Sequence, residues 1–124
     1  MGARILIAED EPNIVTSLEF LMRKCDYEVR VARDGEEALQ LVEDFRPNVV
    51  LLDVMMPLKN GFEVCRRIRE NPDLRGTRIV MLSARGRDAE IGKGLSLGAD
   101  AYVTKPFSTK DLLAKVSELL AGAP

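Results

Sequence analysis

Histidine is absent from this sequence of 124 residues, and cysteine occurs twice, as Cys25 and Cys65. A chain without histidine has no catalytic or phosphorylated histidine of its own. The two cysteines are far apart in the sequence and form no close metal-ligand pair, so we expect neither a thiolate metal site nor a disulfide. We interpret both cysteines as small packing residues.

Long apolar runs and an excess of basic residues are missing as well. No run approaches the ~20 residues that a membrane span needs, and the N-terminus shows no apolar stretch before a cleavage site. Charged residues make up 31% of the chain, with a formal net charge of -2, whereas nucleic-acid-binding domains normally have a basic face. We therefore predict a cytoplasmic protein in which this domain binds neither membranes nor nucleic acids directly.

The chain has the length and the 46% hydrophobic content of one domain, residues 1–124. Short runs rich in Val, Ile and Leu alternate with segments of helical spacing. The predicted strands are Arg4–Ala8, Glu28–Ala32, Val49–Leu52, Ile79–Leu82 and Ala101–Thr104, and the predicted helices are Ile14–Met22, Glu36–Val42, Phe62–Ile68, Asp88–Leu97 and Leu112–Leu120. This alternation predicts an α/β fold, a doubly wound five-stranded parallel sheet of the (βα)5 type.

Polar side chains follow four of the predicted strands. Glu9 and Asp10 follow the first strand, Asp53 the third, Ser83 the fourth and Lys105 the fifth. Ligands of open parallel sheets bind outside the carboxyl ends of the strands. Stability alone does not require polar residues after four of the strands, so these residues are candidates for a ligand-binding site.

Three of these residues are acids that converge if the first and third strands are neighbours. Glu9, Asp10 and Asp53 would then repel one another and raise each other's pKa values unless a cation were present. Lys105 offers one positive charge, and Mg²⁺ is the natural additional cation because it binds through one or two carboxylates and keeps several waters. With the hydroxyl of Ser83, this set fits phosphoryl transfer to a carboxylate nucleophile.

Other interpretations exist for each feature alone. Acids at a helix start favour the helix dipole, Ser83 alone is an ordinary capping residue, and Lys105 alone is an ordinary surface residue. A flavin carrier of the same fold needs a phosphate-cradling loop after the first strand, where this chain has acids. A phosphohydrolase with an aspartyl-phosphate usually has a second acid two residues after the nucleophile, where this chain has Met55.

Four segments together resemble the receiver domain of response regulators in two-component systems. They are Glu9–Pro12, Leu51–Pro57 with the following Gly61, Met81–Ala84, and Gly98–Phe107. The resemblance covers essentially the whole chain, and four motifs in this order and spacing are specific. It implies the flavodoxin-like strand order 2-1-3-4-5, and it leaves open whether an output domain follows Pro124.

The resemblance also implies site residues. Asp53 is expected to accept a phosphoryl group from a phosphohistidine of a sensor histidine kinase or a phosphotransfer protein. Asp10 and Asp53 are expected to bind Mg²⁺ directly, Glu9 through water, and Met55 through its backbone carbonyl. The domain is then a regulatory switch and not an enzyme, apart from self-phosphorylation from a donor and slow self-dephosphorylation.

Further residues carry the expected switch. Ser83 is expected to bind the phosphoryl group, Lys105 to pair with it, and Tyr102 to change rotamer with Ser83, which would alter the face of the fourth helix, fifth strand and fifth helix. A cis Lys105–Pro106 bond is also expected. The alternative is a degenerate receiver that acts as an interaction module without phosphorylation.

Two last expectations concern lifetime and assembly. Met55 and Arg85 should flank the water that hydrolyses the aspartyl-phosphate. Because neither side chain can act as an accepting base, we predict that the phosphoryl group is lost slowly. Lys93, Asp100 and Lys115 match in part the charges of a phosphorylation-dependent homodimer.

Overall fold

Five strands alternate with five helices in a computed structural model that describes residues 2–84 and 88–122, without the side chains of residues 88 and 89. The strands are β1 Arg4–Ala8, β2 Glu28–Ala32, β3 Val49–Asp53, β4 Arg78–Ser83 and β5 Ala101–Thr104. The helices are α1 Pro12–Lys24, α2 Gly35–Phe45, α3 Gly61–Glu70, α4 Asp88–Ser96 and α5 Thr109–Ala121, with one 3₁₀ turn at Pro72–Leu74.

The strands form one parallel sheet in the order β2-β1-β3-β4-β5, which confirms the predicted architecture. The order changes direction between β1 and β3, and these two strands are direct neighbours. This is the switch point where the loops after adjacent strands diverge and leave a crevice. The fold therefore brings the residues after β1 next to those at the end of β3.

Two strands run one residue further than the sequence pattern predicts. β3 includes Asp53, which pairs with Leu82, and β4 includes Ser83, which pairs with Thr104. Hydrophobicity marks only the apolar part of a strand, whereas the backbone ladder continues through a polar residue if its neighbour is in register. Both polar side chains are thus attached to the sheet itself.

The helices cover both faces of the sheet. On one face, α2 and α3 bury residues such as Val42 and Ile68 against the sheet, and on the other face α1 and α5 bury Leu18 and Leu112. All five residues of β3 are buried. Burial of each large side chain contributes about 1.5–3 kcal/mol, so the central strand is a stable support for the polar residues at its carboxyl end.

Several local predictions are tested by these elements. Ser108 caps α5 by accepting a hydrogen bond from the Asp111 N–H at 3.2 Å. The Lys105–Pro106 bond is cis, as expected. Cys65 is buried, but the packing interpretation of Cys25 is wrong, because α1 ends just before it and leaves it exposed. No helix in the described part of the chain is long and apolar enough to cross a membrane.

Candidate functional site

Three carboxylates meet at the carboxyl end of the sheet. Glu9 lies directly after β1, where its N–H donates to the Ala32 carbonyl at 3.0 Å, and Asp53 ends β3. One carboxylate oxygen from each of Glu9, Asp10 and Asp53 lies within 4.8 Å of the others. The sequence predicted this convergence, and the β1–β3 pairing is what produces it.

The three acids differ in exposure. Glu9 is 1% exposed and Asp53 4% exposed, whereas Asp10 is exposed. The Glu9 carboxylate is held in part by the Glu11 N–H, which donates to it at 3.2 Å. An oxygen-rich cluster with one side open to solvent fits a hard divalent cation that keeps some of its waters, which is the chemistry of Mg²⁺.

Lys105 supplies the cation that the described residues place among these acids. Its Nζ donates to Glu9 Oε1 at 2.8 Å and to Asp53 Oδ1 at 3.2 Å. The backbone positions it, because the Lys105 N–H donates to the carbonyl of Ser83 at the end of β4. Burial acts to lower the pKa of Lys105, but the hydrogen bonds and charges of Glu9 and Asp53 outweigh burial, and the net pKa is raised.

One ammonium does not balance three carboxylates. Burial raises the pKa of Asp53, the neighbouring Glu9 charge raises it further, and the opposing effect of Lys105 leaves it at about 6, against an ordinary value of 3.8. The site therefore holds excess negative charge. A bound cation would relieve this repulsion and lower the pKa of Asp53 again.

Ser83 and Tyr102 lie on the side of the site that faces α4. Ser83 is buried at the end of β4 and lines a cavity of about 210 Å³ together with Val54 and Met55. Tyr102 is half-buried on β5, and its ring lies against the backbone of Gly94 in α4. A hydroxyl beside the acids and a ring against the helix are thus placed in adjacent strands.

Met55 is the one of the two residues predicted to flank the hydrolytic water that the described part of the chain includes. Met55 is 63% exposed at the mouth of the site, consistent with an approach from solvent on its side. Arg85 lies outside the described residues. The slow loss of the phosphoryl group stays a prediction.

The three charges predicted for a dimer face are each engaged within the chain. Lys93 Nζ lies 4.6 Å from the centre of the Phe62 ring in α3. Asp100 accepts from Arg69 Nη2 at 2.8 Å, and Lys115 pairs with Glu118 at 3.5 Å. Lys93 and Asp100 contact residues far from them in sequence, which no local pattern shows. The dimer also stays a prediction.

Comparison with known proteins places this site in a family. The family model described as the response regulator receiver domain matches residues 5–117. The chain belongs to this family. Its receiver domains are regulatory signalling modules of two-component systems that interact with histidine kinases, and this receiver carries the acidic cluster at the expected edge of its sheet.

Solved structures agree in fold over nearly the whole receiver. A protein of Chloroflexus aurantiacus J-10-fl described as a response regulator is 35% identical, with 98% of this chain and 99% of that chain covered and a TM-score of 0.92. The BeF3-activated N-terminal receiver domain of Klebsiella pneumoniae RstA is 31% identical, with coverages of 94% and 97% and a TM-score of 0.88.

A third structure contains a metal. The receiver domain of a sensor histidine kinase from Pseudomonas aeruginosa PAO1, with a magnesium ion coordinated in the active site cleft, is 28% identical to this chain. The match covers 98% of this chain and 100% of that chain, with a TM-score of 0.90. The solved structures that this chain resembles thus include a response regulator and the receiver domain of a histidine kinase.

Proposed function

We propose that this receiver is a cytoplasmic phosphoacceptor switch in which Asp53 takes a phosphoryl group from a phosphohistidine of a sensor histidine kinase or a phosphotransfer protein. The observation that carries the proposal is the position of Asp53. It ends a fully buried strand, lies within 4.8 Å of two further carboxylates, and contacts Lys105. The absence of histidine in the chain agrees with a donor on another protein.

The carboxylates fit Mg²⁺. Asp10 and Asp53 would bind the ion directly, Glu9 through water, and the backbone carbonyl of Met55 would complete the protein ligands. The exposure of Asp10 leaves that side accessible to an ion that arrives from solvent. When bound, Mg²⁺ would neutralise charge on the phosphoryl oxygens and on the clustered acids.

The side chains of the receiver then have separate roles in the transfer. A carboxylate oxygen of Asp53 attacks phosphorus, and a P–O bond forms while the P–N bond to the donor histidine breaks. Lys105, already 3.2 Å from Asp53, pairs with a phosphoryl oxygen. The Ser83 hydroxyl donates a hydrogen bond to another phosphoryl oxygen. The Tyr102 side chain changes rotamer when Ser83 moves.

The output of the switch is proposed to be the face formed by α4, β5 and α5. Ser83 ends β4 beside β5, and Tyr102 connects β5 to α4. A hydroxyl and a ring with two positions can bias such a surface between two states. This face is proposed to act through a homodimer or on an output domain after Pro124.

Sedimentation of the protein with and without beryllofluoride tests the dimer. A monomer that stays unchanged contradicts it.

The direct test is labelling of the purified protein with acetyl phosphate and Mg²⁺, read by intact-protein mass spectrometry. Wild type should gain one phosphoryl group and Asp53→Asn none. Asp73→Asn, an exposed acid in the 3₁₀ turn, is the matched control and should label like wild type. Equal labelling of Asp53→Asn contradicts the assignment. An unlabelled wild type would instead support the interaction module that functions without phosphorylation.

A further inference from the structure

The start of α2 touches the loop after β3, residues 54–60. The Gly35 N–H donates to the Pro57 carbonyl at 3.3 Å, and the same carbonyl accepts from the Lys59 N–H at 2.8 Å. Gly35 is buried. A Cβ atom added to it would lie 2.1 Å from the Lys59 carbonyl oxygen and 2.6 Å from the Lys59 Cβ. The contact between helix and loop therefore requires a residue without a side chain at position 35.

The helix end that makes this contact is itself well anchored. Asp34 caps α2 by accepting from the Glu37 N–H at 2.8 Å, and Glu37 Oε1 accepts from the Arg33 N–H, also at 2.8 Å. Reciprocal bonds of this kind satisfy backbone donors on both sides of a helix start. The Gly35 backbone is thus a rigid point against which a loop can rest.

The loop has a second fixed point at its base. The Val54 N–H donates to the Leu82 carbonyl at 2.9 Å, and the Gly61 N–H donates to the Val54 carbonyl at 2.8 Å. At the contact with Gly35, between Pro57 and Lys59, Leu58 has a φ of 70°, an unfavourable conformation for a side chain of this size. Such a conformation persists where surrounding contacts impose it. The Met55 peptide lies between the base and the contact with Gly35.

We infer that Gly35 is a positioning residue, which holds the 54–60 loop against α2 and so sets where the backbone around Met55 lies relative to Asp53. The inference rests on the proposed function for its Mg²⁺ role. A larger residue at position 35 would push the Lys59 carbonyl by roughly 1 Å to reach ordinary contact. The loop would transmit that shift to the Met55 carbonyl, and Mg²⁺ affinity would fall.

A purely local role for Gly35 gives the opposite expectation. If Gly35 served only as the first residue of α2, alanine would be favourable, because glycine costs more conformational entropy than alanine in a helix. Gly35→Ala would then raise the melting temperature and leave Mg²⁺ binding unchanged. The two roles thus predict opposite changes in melting temperature, and only the positioning role predicts a loss of Mg²⁺ affinity.

The experiment compares Gly35→Ala with two controls. Gly76→Ala adds a Cβ where nothing lies within 4 Å, and Val42→Ala weakens α2 packing through a buried residue. In metal-free protein, hydrogen exchange at the Lys59 amide should become faster in Gly35→Ala alone. The Mg²⁺ dissociation constant, from an NMR titration, should rise about tenfold in that variant and stay within about twofold in the controls. Unchanged exchange and affinity, or an equal loss in Val42→Ala, overturns the inference.

Wild-type protein provides a second measurement if Gly35→Ala does not fold. The Gly35 amide resonance should shift on Mg²⁺ addition with the same midpoint as the Asp53 amide, while the Gly76 amide should not respond. A silent Gly35 amide beside a responsive Asp53 amide overturns the inference and leaves the proposed function intact. No response at Asp53, or no labelling of wild type at Asp53, would instead count against the proposed function.

Discussion

Two largely buried charge clusters occupy opposite ends of the sheet, one with an excess of negative charge and the other with an excess of positive charge. At the carboxyl end, the ammonium of Lys105 pairs with Glu9 and Asp53, and the exposed Asp10 makes the third carboxylate of this cluster among the described residues. At the amino end of β5, one carboxylate, Asp100, meets two guanidinium groups. It accepts from Arg69 at 2.8 Å and lies 3.4 Å from Arg78.

The backbone adds to this difference. Asp100 also accepts from the Ile79 N–H at 2.7 Å, and Arg69 Nε donates to the Gly98 carbonyl at 2.8 Å. The acid at this end has partners for both of its oxygens, whereas the pKa of Asp53 is raised to about 6, mainly by burial. Charged residues therefore stabilise the fold at one end, where each carboxylate oxygen has a partner, and leave an excess of negative charge at the other. Functional sites commonly break the rules of stability in this way.

The strongest test of the comparison is removal of Asp100, the acid with a partner for each of its oxygens. Asp100→Ala should lower the free energy of unfolding by about 3 kcal/mol, because Arg69 Nη2, Arg78 Nη1 and the Ile79 N–H each lose their acceptor in a partly buried place. Urea unfolding measures the change. Glu70→Ala, which removes an exposed partner of Arg66, is the control and should cost under about 0.5 kcal/mol. Equal losses would show that the Asp100 cluster is not structural.

Removal of Asp53, an acid at the end with excess negative charge, should instead raise the free energy of unfolding. Asp53→Asn in metal-free protein should raise the free energy of unfolding at pH 7 by about 2 kcal/mol. A pKa raised from 3.8 to about 6 corresponds to about 3 kcal/mol, and the uncharged amide recovers most of this penalty because it does not repel Glu9.

The gain from Asp53→Asn should depend on pH. Below about pH 4 the carboxyl is protonated in both states and contributes nothing. As pH rises towards about 6, the unfolded chain releases its proton first, so folded wild type loses stability, and the full penalty remains above about pH 6. The difference between wild type and variant, from urea unfolding at several pH values, measures this slope. A difference that does not grow from pH 4 to pH 7 contradicts it.

Mg²⁺ should reduce the imbalance and so stabilise wild type. At ten times the dissociation constant, binding to the folded state alone contributes about 1.4 kcal/mol. The measurement compares thermal unfolding in MgCl₂ with thermal unfolding in NaCl of equal ionic strength. The variant Asp10→Asn, which changes the exposed member of the cluster, should lose most of the stabilisation by Mg²⁺. Equal stabilisation by the two salts would argue against a metal site.

The smallest expected effect concerns the lifetime of the phosphorylated form. The double change Met55→Asn with Arg85→Glu introduces groups that can orient a water, and should accelerate decay about fivefold, which corresponds to about 1 kcal/mol. The decay of labelled protein after donor removal measures it. Decay that is equal or slower in the double variant contradicts the role given to these two side chains.

Much of the site was predictable because strand direction is readable from the chain. Polar residues after parallel strands must share one edge of the sheet, so Glu9, Asp53, Ser83 and Lys105 could be grouped before the strands were placed. The internal partners of Lys93 and Asp100 could not be found in this way. Phe62 and Arg69 lie 31 residues before Lys93 and Asp100, respectively, and no periodicity relates such pairs.

The sequence by itself determined the alternation of strands and helices and the set of polar residues at one edge, because hydrophobic period and capping chemistry are local properties of the chain. Only the tertiary structure decided which acids are buried, how Lys105 divides its bonds between Glu9 and Asp53, and that Gly35 supports the loop after β3. These depend on differences of a few tenths of an ångström in the distances between elements far apart in the sequence, and such distances are set when the whole core packs together.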